Sequence, residues 1–466
     1  MKYCRFIVAV LALCYGANAY CFLEPLFDKG QWNWETGYEY RYFENPGAQG
    51  QTQNALALRV QGNYASHWNH GLDSFTFVPY LLVDQQDSAR THADIREALW
   101  IHVGNNWEIH TGITRVFWGK TEFNHVVDVI NQTDLVAGDD EKLGQPLVNL
   151  SLVSDWGIFD FYWLLGFRER TFPGKDGRLR TPLVVDTDHP VYLENASPNS
   201  LDFAFRWQKS LTDELDMALS LFSGVDREPT FSFNFNFADP MLIPYYSHKD
   251  QVGLELEYIK DGWDLKFEGV DVRNVVQNYN AAVGGVEYTF NSIFKSDIDM
   301  TWITEYMWDS RNQNTPGFLE HDLGLGARFA FNDEFDTSIL SGVLWDNRTG
   351  EKLFTIEGER RLRDNLKLKL QARVIMDRGQ PTVDSNAASI LAALSSSSLA
   401  NSSLVTQSFL LDYIYSLIQQ QGLQVLFNTQ GFVPVLQQLQ GMSDANRKLS
   451  ILDSDSYVQL ELTYYF

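Results

Sequence analysis

The sequence contains little cysteine and, after its first residues, no long apolar run. Three cysteines occur in 466 residues, and Cys4 and Cys14 both lie before residue 19. If those residues are removed, Cys21 is the one cysteine left and no internal disulfide forms. Beyond residue 19 no stretch approaches the roughly 18 apolar residues that a transmembrane helix requires. Neither a disulfide scaffold nor a helical membrane anchor is therefore expected.

Positive charge is also scarce. The chain has 36 lysines and arginines against 60 aspartates and glutamates, a formal net charge of −24. Proteins that bind nucleic acid need clustered positive charge on their surface, so we expect no nucleic acid partner. The acidic excess and the cluster of Asp128, Asp134, Asp139, Asp140 and Glu141 instead predict a mild preference for cations among charged solutes.

Catalytic motifs are missing as well. The nine histidines are scattered without a His-Glu-x-x-His pattern, and no Gly-x-Ser-x-Gly sequence occurs. We therefore predict that the protein is not an enzyme and has neither catalytic residues nor a metal or other cofactor. The nearest acid–base pair, His102 and Glu108, is interpreted as a structural contact.

The first residues have the pattern of a secretory signal peptide. Residues 1–5 are short and basic, residues 6–15 are apolar, and Ala17-Asn18-Ala19 provides small residues for cleavage after Ala19. Removing residues 1–19 takes away two cations and no carboxylate, so 34 basic and 60 acidic residues remain. We expect an exported protein whose residues 20–466 form one domain.

Aromatic residues and strict alternation indicate the fold. Aromatics make up 14% of the chain, and the last segment, "YVQLELTYYF", places an apolar residue at every second position. Alternation of this kind keeps the mean hydropathy of membrane strands low, and girdles of aromatic residues mark both membrane interfaces. The expected fold class is all-β, a transmembrane antiparallel barrel closed by pairing of the first and last strands.

About eighteen segments alternate in this way, an even number as bacterial single-chain barrels require, with sixteen as the alternative if the weakest segment, 146–154, and a neighbour are not strands. The eighteen are residues 31–44, 52–66, 72–84, 93–104, 107–118, 146–154, 157–169, 200–210, 214–224, 250–260, 263–272, 280–290, 297–309, 318–331, 335–346, 351–362, 366–377 and 456–466. Short turns and long links take alternate places between them, as expected for periplasmic turns and external loops.

Three hairpins define a register. The Asp261-Gly262 turn predicts Glu257 opposite Lys266. A three-residue turn at 104–106 predicts His102 opposite Glu108, and the hairpin around residues 363–365 predicts Glu359 opposite Lys369.

The segment 118–146 does not alternate and carries a motif. Its "WGK" and "VVDVINQTD" sequences, with "REA" before them, occupy Arg96, Glu97, Ala98, Trp118, Gly119, Lys120, Val127, Asp128, Ile130, Asn131 and Asp134. Over about 45 residues the pattern resembles a poorly characterised family of proteobacterial outer-membrane, porin-like β-barrels. Ile130 replaces the second valine of that pattern, and Gln132 stands where proline is expected.

Non-helical, non-sheet backbone at membrane depth is tolerated inside a barrel, so we expect 118–146 to fold inward and constrict the lumen. One interpretation is that its charges set the field on a passing solute, and the other is that they fasten the loop to the wall. The pore or constriction candidates are Arg96, Glu97, Lys120, Glu122, Asp128, Asn131 and Asp134.

Residues 378–455 differ again, because they are rich in Ala, Leu, Ser and Gln with apolar residues at near-helical spacing. We expect a helical insertion before the last strand that acts as a cap or plug, binds a partner or lies on the membrane.

The expected function is passage of small hydrophilic solutes across the outer membrane through a porin-like channel. Alternatives are a transporter of hydrophobic compounds, a barrel enzyme, and a surface adhesin or structural barrel. The expected partners are outer-membrane lipid and lipopolysaccharide, the small solute, and the assembly machinery that reads a terminal aromatic such as Phe466.

Overall fold

The computed structural model describes residues 30–47, 49–138, 141–181, 183–234, 241–311, 319–376 and 449–466. The strands, numbered along the chain, are β1 Gln31–Phe43, β2 Asn54–Trp68, β3 Asp73–Asp84, β4 His92–Val103, β5 Trp107–Thr114, β6 Gln145–Ser154, β7 Gly157–Leu165, β8 Val184–Val185, β9 Val191–Tyr192, β10 Leu201–Ser210, β11 Leu215–Val225, β12 Thr230–Phe233, β13 Met241–Tyr246, β14 His248–Lys260, β15 Trp263–Asn274, β16 Tyr279–Phe290, β17 Asp299–Asp309, β18 His321–Ala330, β19 Ser338–Asp346, β20 Lys352–Arg363, β21 Leu366–Met376 and β22 Tyr457–Tyr465.

Eighteen of these strands form one closed antiparallel barrel. Each pairs with its neighbours along the chain, and the last strand, β22, pairs with β1 so that Tyr38 lies opposite Leu462. The prediction of an eighteen-stranded barrel closed by its two ends is thus confirmed, and the sixteen-stranded alternative is wrong. The weakest predicted strand is present as β6. The remaining strands, β8, β9, β12 and β13, make a small separate sheet among the connecting segments.

The register agrees with the sequence at two of the three hairpins. Glu257 lies opposite Lys266, and Glu359 opposite Lys369, as predicted. At the third hairpin the prediction is wrong by one residue, because His102 lies opposite Ile109. The amide of Gly104 donates to the carbonyl of Trp107 at 2.7 Å, which leaves two residues rather than three in the turn.

The two faces of the sheet differ in chemistry. Outward-facing side chains are apolar and exposed, for example Tyr38 at 61% and Leu221 at 50%, whereas buried carboxylates such as Glu268 and Glu305 point into the barrel. An apolar exterior with a polar interior is the arrangement expected of a barrel that spans a membrane. Among the residues described, no helix is long and apolar enough to cross a membrane.

The connections are long at one end of the barrel and short at the other. Residues 115–144, 166–200 and 226–247 link strands at what we call the external end, whereas two-residue turns such as Asp261-Gly262 lie at the opposite, periplasmic end. The signal peptide predicted at 1–19 lies outside the described residues. Most of the insertion predicted at 378–455 does too, and its last part, Leu449–Asp455, is a 3-10 helix beside β21.

Candidate functional site

The segment between β5 and β6 folds into the barrel and crosses it. It comprises residues 115–144, slightly less than the predicted 118–146, because Gln145 and Pro146 already belong to β6. From β5 it reaches the opposite wall at β14–β19 and then returns to β3 and β4. We call it the crossing loop, and the prediction of an inward-folded segment is in agreement with this path.

A carboxylate on the far wall holds the tip of the crossing loop. Glu268 on β15 is fully buried, and its Oε1 accepts hydrogen bonds from the backbone nitrogens of Lys120 (2.5 Å) and Thr121 (2.9 Å) and from the Thr121 hydroxyl (2.7 Å). Backbone amides without a helix or sheet partner need acceptors of this kind when they are buried. Glu268 therefore provides the acceptor that a helix or sheet would otherwise provide for these backbone nitrogens.

A second carboxylate continues the same arrangement. Glu305 on β17 is also fully buried and accepts from the backbone nitrogens of Glu122 (2.6 Å) and Phe123 (2.9 Å). The Phe123 ring then lies against Gly324 and Gly342 on β18 and β19, where an added Cβ at Gly324 would come 2.5 Å from the ring. Absence of side chains at these glycines provides the space for the ring.

The returning part of the crossing loop is fixed to the near wall by Asp134. Its carboxylate is 2.6 Å from the Arg96 guanidinium, 3.3 Å from His92 Nε2 and 2.6 Å from the Thr171 hydroxyl. Burial alone would raise the pKa of Asp134, but the hydrogen bond from His92 and the charge of Arg96 hold it well below its usual range. Asp134 is therefore ionised at any physiological pH.

A β-bulge on β4 directs the Arg96 side chain. Val78 pairs with Glu97 and Pro79 with Ile95, so Arg96 is an extra residue in its strand. Bulges redirect side chains, and a proline, which lacks an N–H donor, is tolerated at such a point. The Arg96 guanidinium also lies 4.1 Å from the centre of the Tyr80 ring.

The other candidate residues divide between fastening and packing. Lys120 Nζ lies 2.6 Å from Glu257, and Glu122 forms an ion pair with Arg328 on β18. Asn131 closes the neck of the crossing loop through bonds to Thr114, Val116 and Leu143.

Asp128 and Glu97 differ from these. The Asp128 side chain is 3% exposed, with Lys142 Nζ at 3.3 Å, and burial raises its pKa. Glu97 forms no ion pair or hydrogen bond within the part of the chain that the structure describes, so it does not contribute to fastening the loop there. The interpretation that charges fasten the loop holds for the remaining residues.

An apolar cluster fills one side of the lumen. Trp118, Val127, Val129 and Ile130 of the crossing loop pack on inward-facing residues of β6, β7, β10, β11, β15 and β16. Arg227 lies behind them, fully buried, with hydrogen bonds to the Ile130 carbonyl and Asp202. This side of the barrel is therefore closed.

A charged cavity, which we call the passage, lies on the other side. This cavity of about 320 Å³ lies between residues 135–138 and Glu141 of the crossing loop and the wall formed by β1–β3 and β20–β22, with Arg178 also in its lining. Its ionisable lining comprises seven cations, Arg41, Arg59, Arg90, Arg178, Lys367, Lys369 and Arg373, and five carboxylates, Glu39, Glu141, Glu357, Glu359 and Glu461.

Most of these charges are paired along the wall. Arg59 bridges Glu35 (3.2 Å) and Glu461, and Lys369 lies 3.2 Å from Glu357. Of the acidic residues from which a cation preference was predicted, Asp128 and Asp134 are buried against cations, Glu141 lines the passage, and Asp139 and Asp140 lie outside the described residues. Among the described residues the predicted preference therefore rests on Glu141 alone.

Sequence reasoning missed the residues that determine this geometry. Glu268, Glu305 and the Gly324 notch look like ordinary inward-facing positions of a strand, and His102, once paired with Glu108, instead bonds Asp73 at 2.8 Å. No sequence signal singles out Glu268 and Glu305, because their contacts with the loop arise only in the closed barrel.

No model of a known protein family matches the chain, and no curated protein does. Among solved structures, a variant of the Rh. blastica porin is 11% identical with a TM-score of 0.39, covering 94% of this chain and 100% of that one. OccD3 (OpdP) of Pseudomonas aeruginosa is 9% identical with a TM-score of 0.47, covering 94% of this chain and 91% of that one.

Proposed function

We propose that the protein is an integral outer-membrane, porin-like channel through which small hydrophilic solutes cross. The observation that carries the proposal is the charged cavity of about 320 Å³ between the crossing loop and the β1–β3, β20–β22 wall. A barrel of this strand number is wide enough to hold water inside. The crossing loop reduces that width, which restricts passage to small solutes.

The lining also suggests weak charge selectivity. Seven cations and five carboxylates line the passage, but Arg59, Arg90 and Arg178 also pair with Glu35, Asp84 and Asp455 just outside that lining, so the charges nearly balance. Because most of these charges are paired, the field on a passing ion is small. We therefore expect only weak selectivity between cations and anions.

Arrival at the membrane follows from the same proposal. Residues 1–19 would direct export and be removed, and Phe466 at the end of the closing strand would be read by the assembly machinery of a Gram-negative outer membrane. No metal or cofactor is part of the proposed mechanism.

Bilayer conductance tests the proposal. Purified protein reconstituted in planar bilayers should conduct, and its reversal potential under a salt gradient should stay close to zero. Arg59→Gln leaves Glu35 and Glu461 without their shared cation, so the reversal potential should shift toward cations. Lys260→Gln is the control, because Lys260 is an exposed residue at the periplasmic end of β14.

Absence of conductance from protein that is demonstrably folded, with a heat-dependent shift on gels and sheet-dominated circular dichroism, would overturn the proposal. An adhesin or structural barrel would then be the better interpretation.

A further inference from the structure

The outer face of the barrel contains a groove of about 610 Å³, within the size range of roughly 300–1,000 Å³ that ligand pockets occupy. It crosses strands β7, β10, β11, β14 and β15 close to the ends of those strands that join the long external links. Its side chains alternate with the inward-facing residues that pack on the crossing loop, so they face away from the lumen. The groove therefore opens toward the membrane at its external interface.

The groove is built from two neighbouring rows of cross-strand partners. In the row nearer the external end, the strand register places Trp163, Phe203, Ser223, Asp250 and Arg273 side by side. Aromatic residues thus stand at one end of this row and charged residues at the other.

The second row has the same order but is more apolar. The register brings together Phe161, Phe205, Leu221, Val252 and Asp271. Phe203 is 45% exposed, Leu221 50% and Val252 51%. This row lies deeper in the membrane and offers an apolar surface next to the polar end of the first row.

The polar end presents a cation and two acceptors. Asp250 accepts a hydrogen bond from the Ser223 hydroxyl at 2.7 Å, and Asp271 accepts one from the Asn280 amide at 2.7 Å. Both carboxylates have further lone pairs for hydroxyl donors. Arg273 is exposed and forms no hydrogen bond or ion pair with any residue that the structure describes. Its guanidinium is therefore available to an anion from outside the chain.

We propose that this groove binds the lipid A portion of lipopolysaccharide, a phosphorylated and acylated sugar. Each part of that molecule has a counterpart: the aromatic and aliphatic side chains contact acyl chains, Asp250 and Asp271 accept from sugar hydroxyls, and Arg273 binds a phosphate. Guanidinium groups bind phosphate with two parallel hydrogen bonds, which gives geometric specificity. A free phosphate would make no use of the apolar rows, and a glycerol-based lipid offers fewer hydroxyls to the carboxylates. This proposal does not depend on which solute passes through the lumen.

Binding of purified lipid A to delipidated protein in detergent, followed by native mass spectrometry, tests the site. Arg273→Ala should weaken lipid A binding roughly tenfold, as loss of a charge-assisted pair implies. Arg273→Lys, which keeps the positive charge but loses the planar guanidinium group, should give an intermediate affinity. Arg363→Ala is the matched control, because Arg363 is an exposed arginine at the periplasmic end of β20, and it should bind as the parent protein does.

Two further ligands separate the recognised chemistry from general adsorption. Dephosphorylated lipid A should bind the parent protein and Arg273→Ala equally, and phosphatidylglycerol should bind the parent protein more weakly than lipid A does. Phe203→Ala should weaken binding of both forms of lipid A, because it removes part of the apolar surface. Heat-dependent migration on gels confirms that each variant is folded.

Equal affinity of Arg273→Ala and the parent protein for lipid A, or equal affinity of the parent protein for phosphatidylglycerol and lipid A, would overturn the proposal. Conductance of Arg273→Ala should be unchanged, so failure of this site and failure of the channel function give different results.

Discussion

The carboxylate of Glu268 accepts hydrogen bonds from both the backbone nitrogen and the hydroxyl of Thr121, at 2.9 and 2.7 Å. The two residues are 147 positions apart in the sequence. Because Thr121 is at the tip of the crossing loop, this contact determines where the loop ends and therefore how much of the lumen stays open.

Removal of the Glu268 carboxylate should release the loop tip. Hydrogen bonds to a charged group each contribute about 1.5–3 kcal/mol, and Glu268→Ala loses three of them. We expect the barrel to stay folded and trypsin to cut after Lys120, which the parent protein should resist. Glu35→Ala, an inward-facing control that does not contact the loop, should leave Lys120 protected. Protection of Lys120 in folded Glu268→Ala would contradict the role assigned to Glu268.

The glycine notch for Phe123 gives a second test. A Cβ at Gly324 would lie 2.5 Å from the Phe123 ring, whereas one at Gly284 meets nothing within 4 Å. Gly324→Ala should therefore displace the ring and lower the free energy of unfolding by about 1–3 kcal/mol, with Gly284→Ala close to neutral. Adding Phe123→Ala should remove most of the penalty of Gly324→Ala in a double-mutant cycle. Additive effects of the two substitutions would show that the ring does not occupy the notch.

Proton binding at His125 should make the loop pH-dependent. Burial lowers the pKa of His125, but Glu268, Asp128 and Glu305 together outweigh it and raise the pKa above its ordinary value of about 6.5. The attraction between protonated His125 and Glu268, whose atoms are 3.6 Å apart, is complete below that ordinary value and is lost as the pH rises through the higher folded-state pKa.

Current fluctuations in bilayers should consequently become more frequent as the pH rises above about 6.5. His125→Gln should remove this dependence, and His70→Gln, in an exposed periplasmic turn, should keep it. A profile that is the same in His125→Gln and the parent protein would assign the dependence to another group.

The insertion before the last strand remains predicted to be a cap or plug. Leu449 is buried against Leu353 and Ile375, so residues 449–455 are best retained when the segment is removed. Replacing residues 380–447 by a short Gly/Ser linker should leave the barrel folded and raise its conductance. Folded protein with unchanged conductance would favour a partner-binding or membrane-lying role instead.

The sequence was sufficient for the barrel because each strand carries its own signal. Alternation decides which face of a strand meets lipid, and the Asp261-Gly262 turn fixes a register that is confirmed through Glu257 and Lys266. The register predicted after Val103 was wrong by one residue, because a single hydrogen bond between Gly104 and Trp107 shortens the turn. The residue types alone do not reveal such a difference in turn length.

The candidate site was predictable in part. The inward path of the loop followed from its mixture of apolar and charged residues, and the pairing of Asp134 with Arg96 agrees with the fastening interpretation. The positions of Glu268 and Glu305 could not be predicted, because their contacts join residues about 150 to 180 positions apart and depend on the shape of the closed barrel.

Closure of the barrel by its first and last strands has a consequence for the order of folding. Tyr38 meets Leu462 only when the whole chain has been delivered, and the loop tip waits for Glu268 and Glu305. Contacts between such distant parts of a chain make folding slow and leave apolar surface exposed in the meantime. A nascent chain with strands up to β14 would lack Glu268 on β15 and Glu305 on β17, so the backbone nitrogens at the loop tip would have no carboxylate acceptors until β17 has been added.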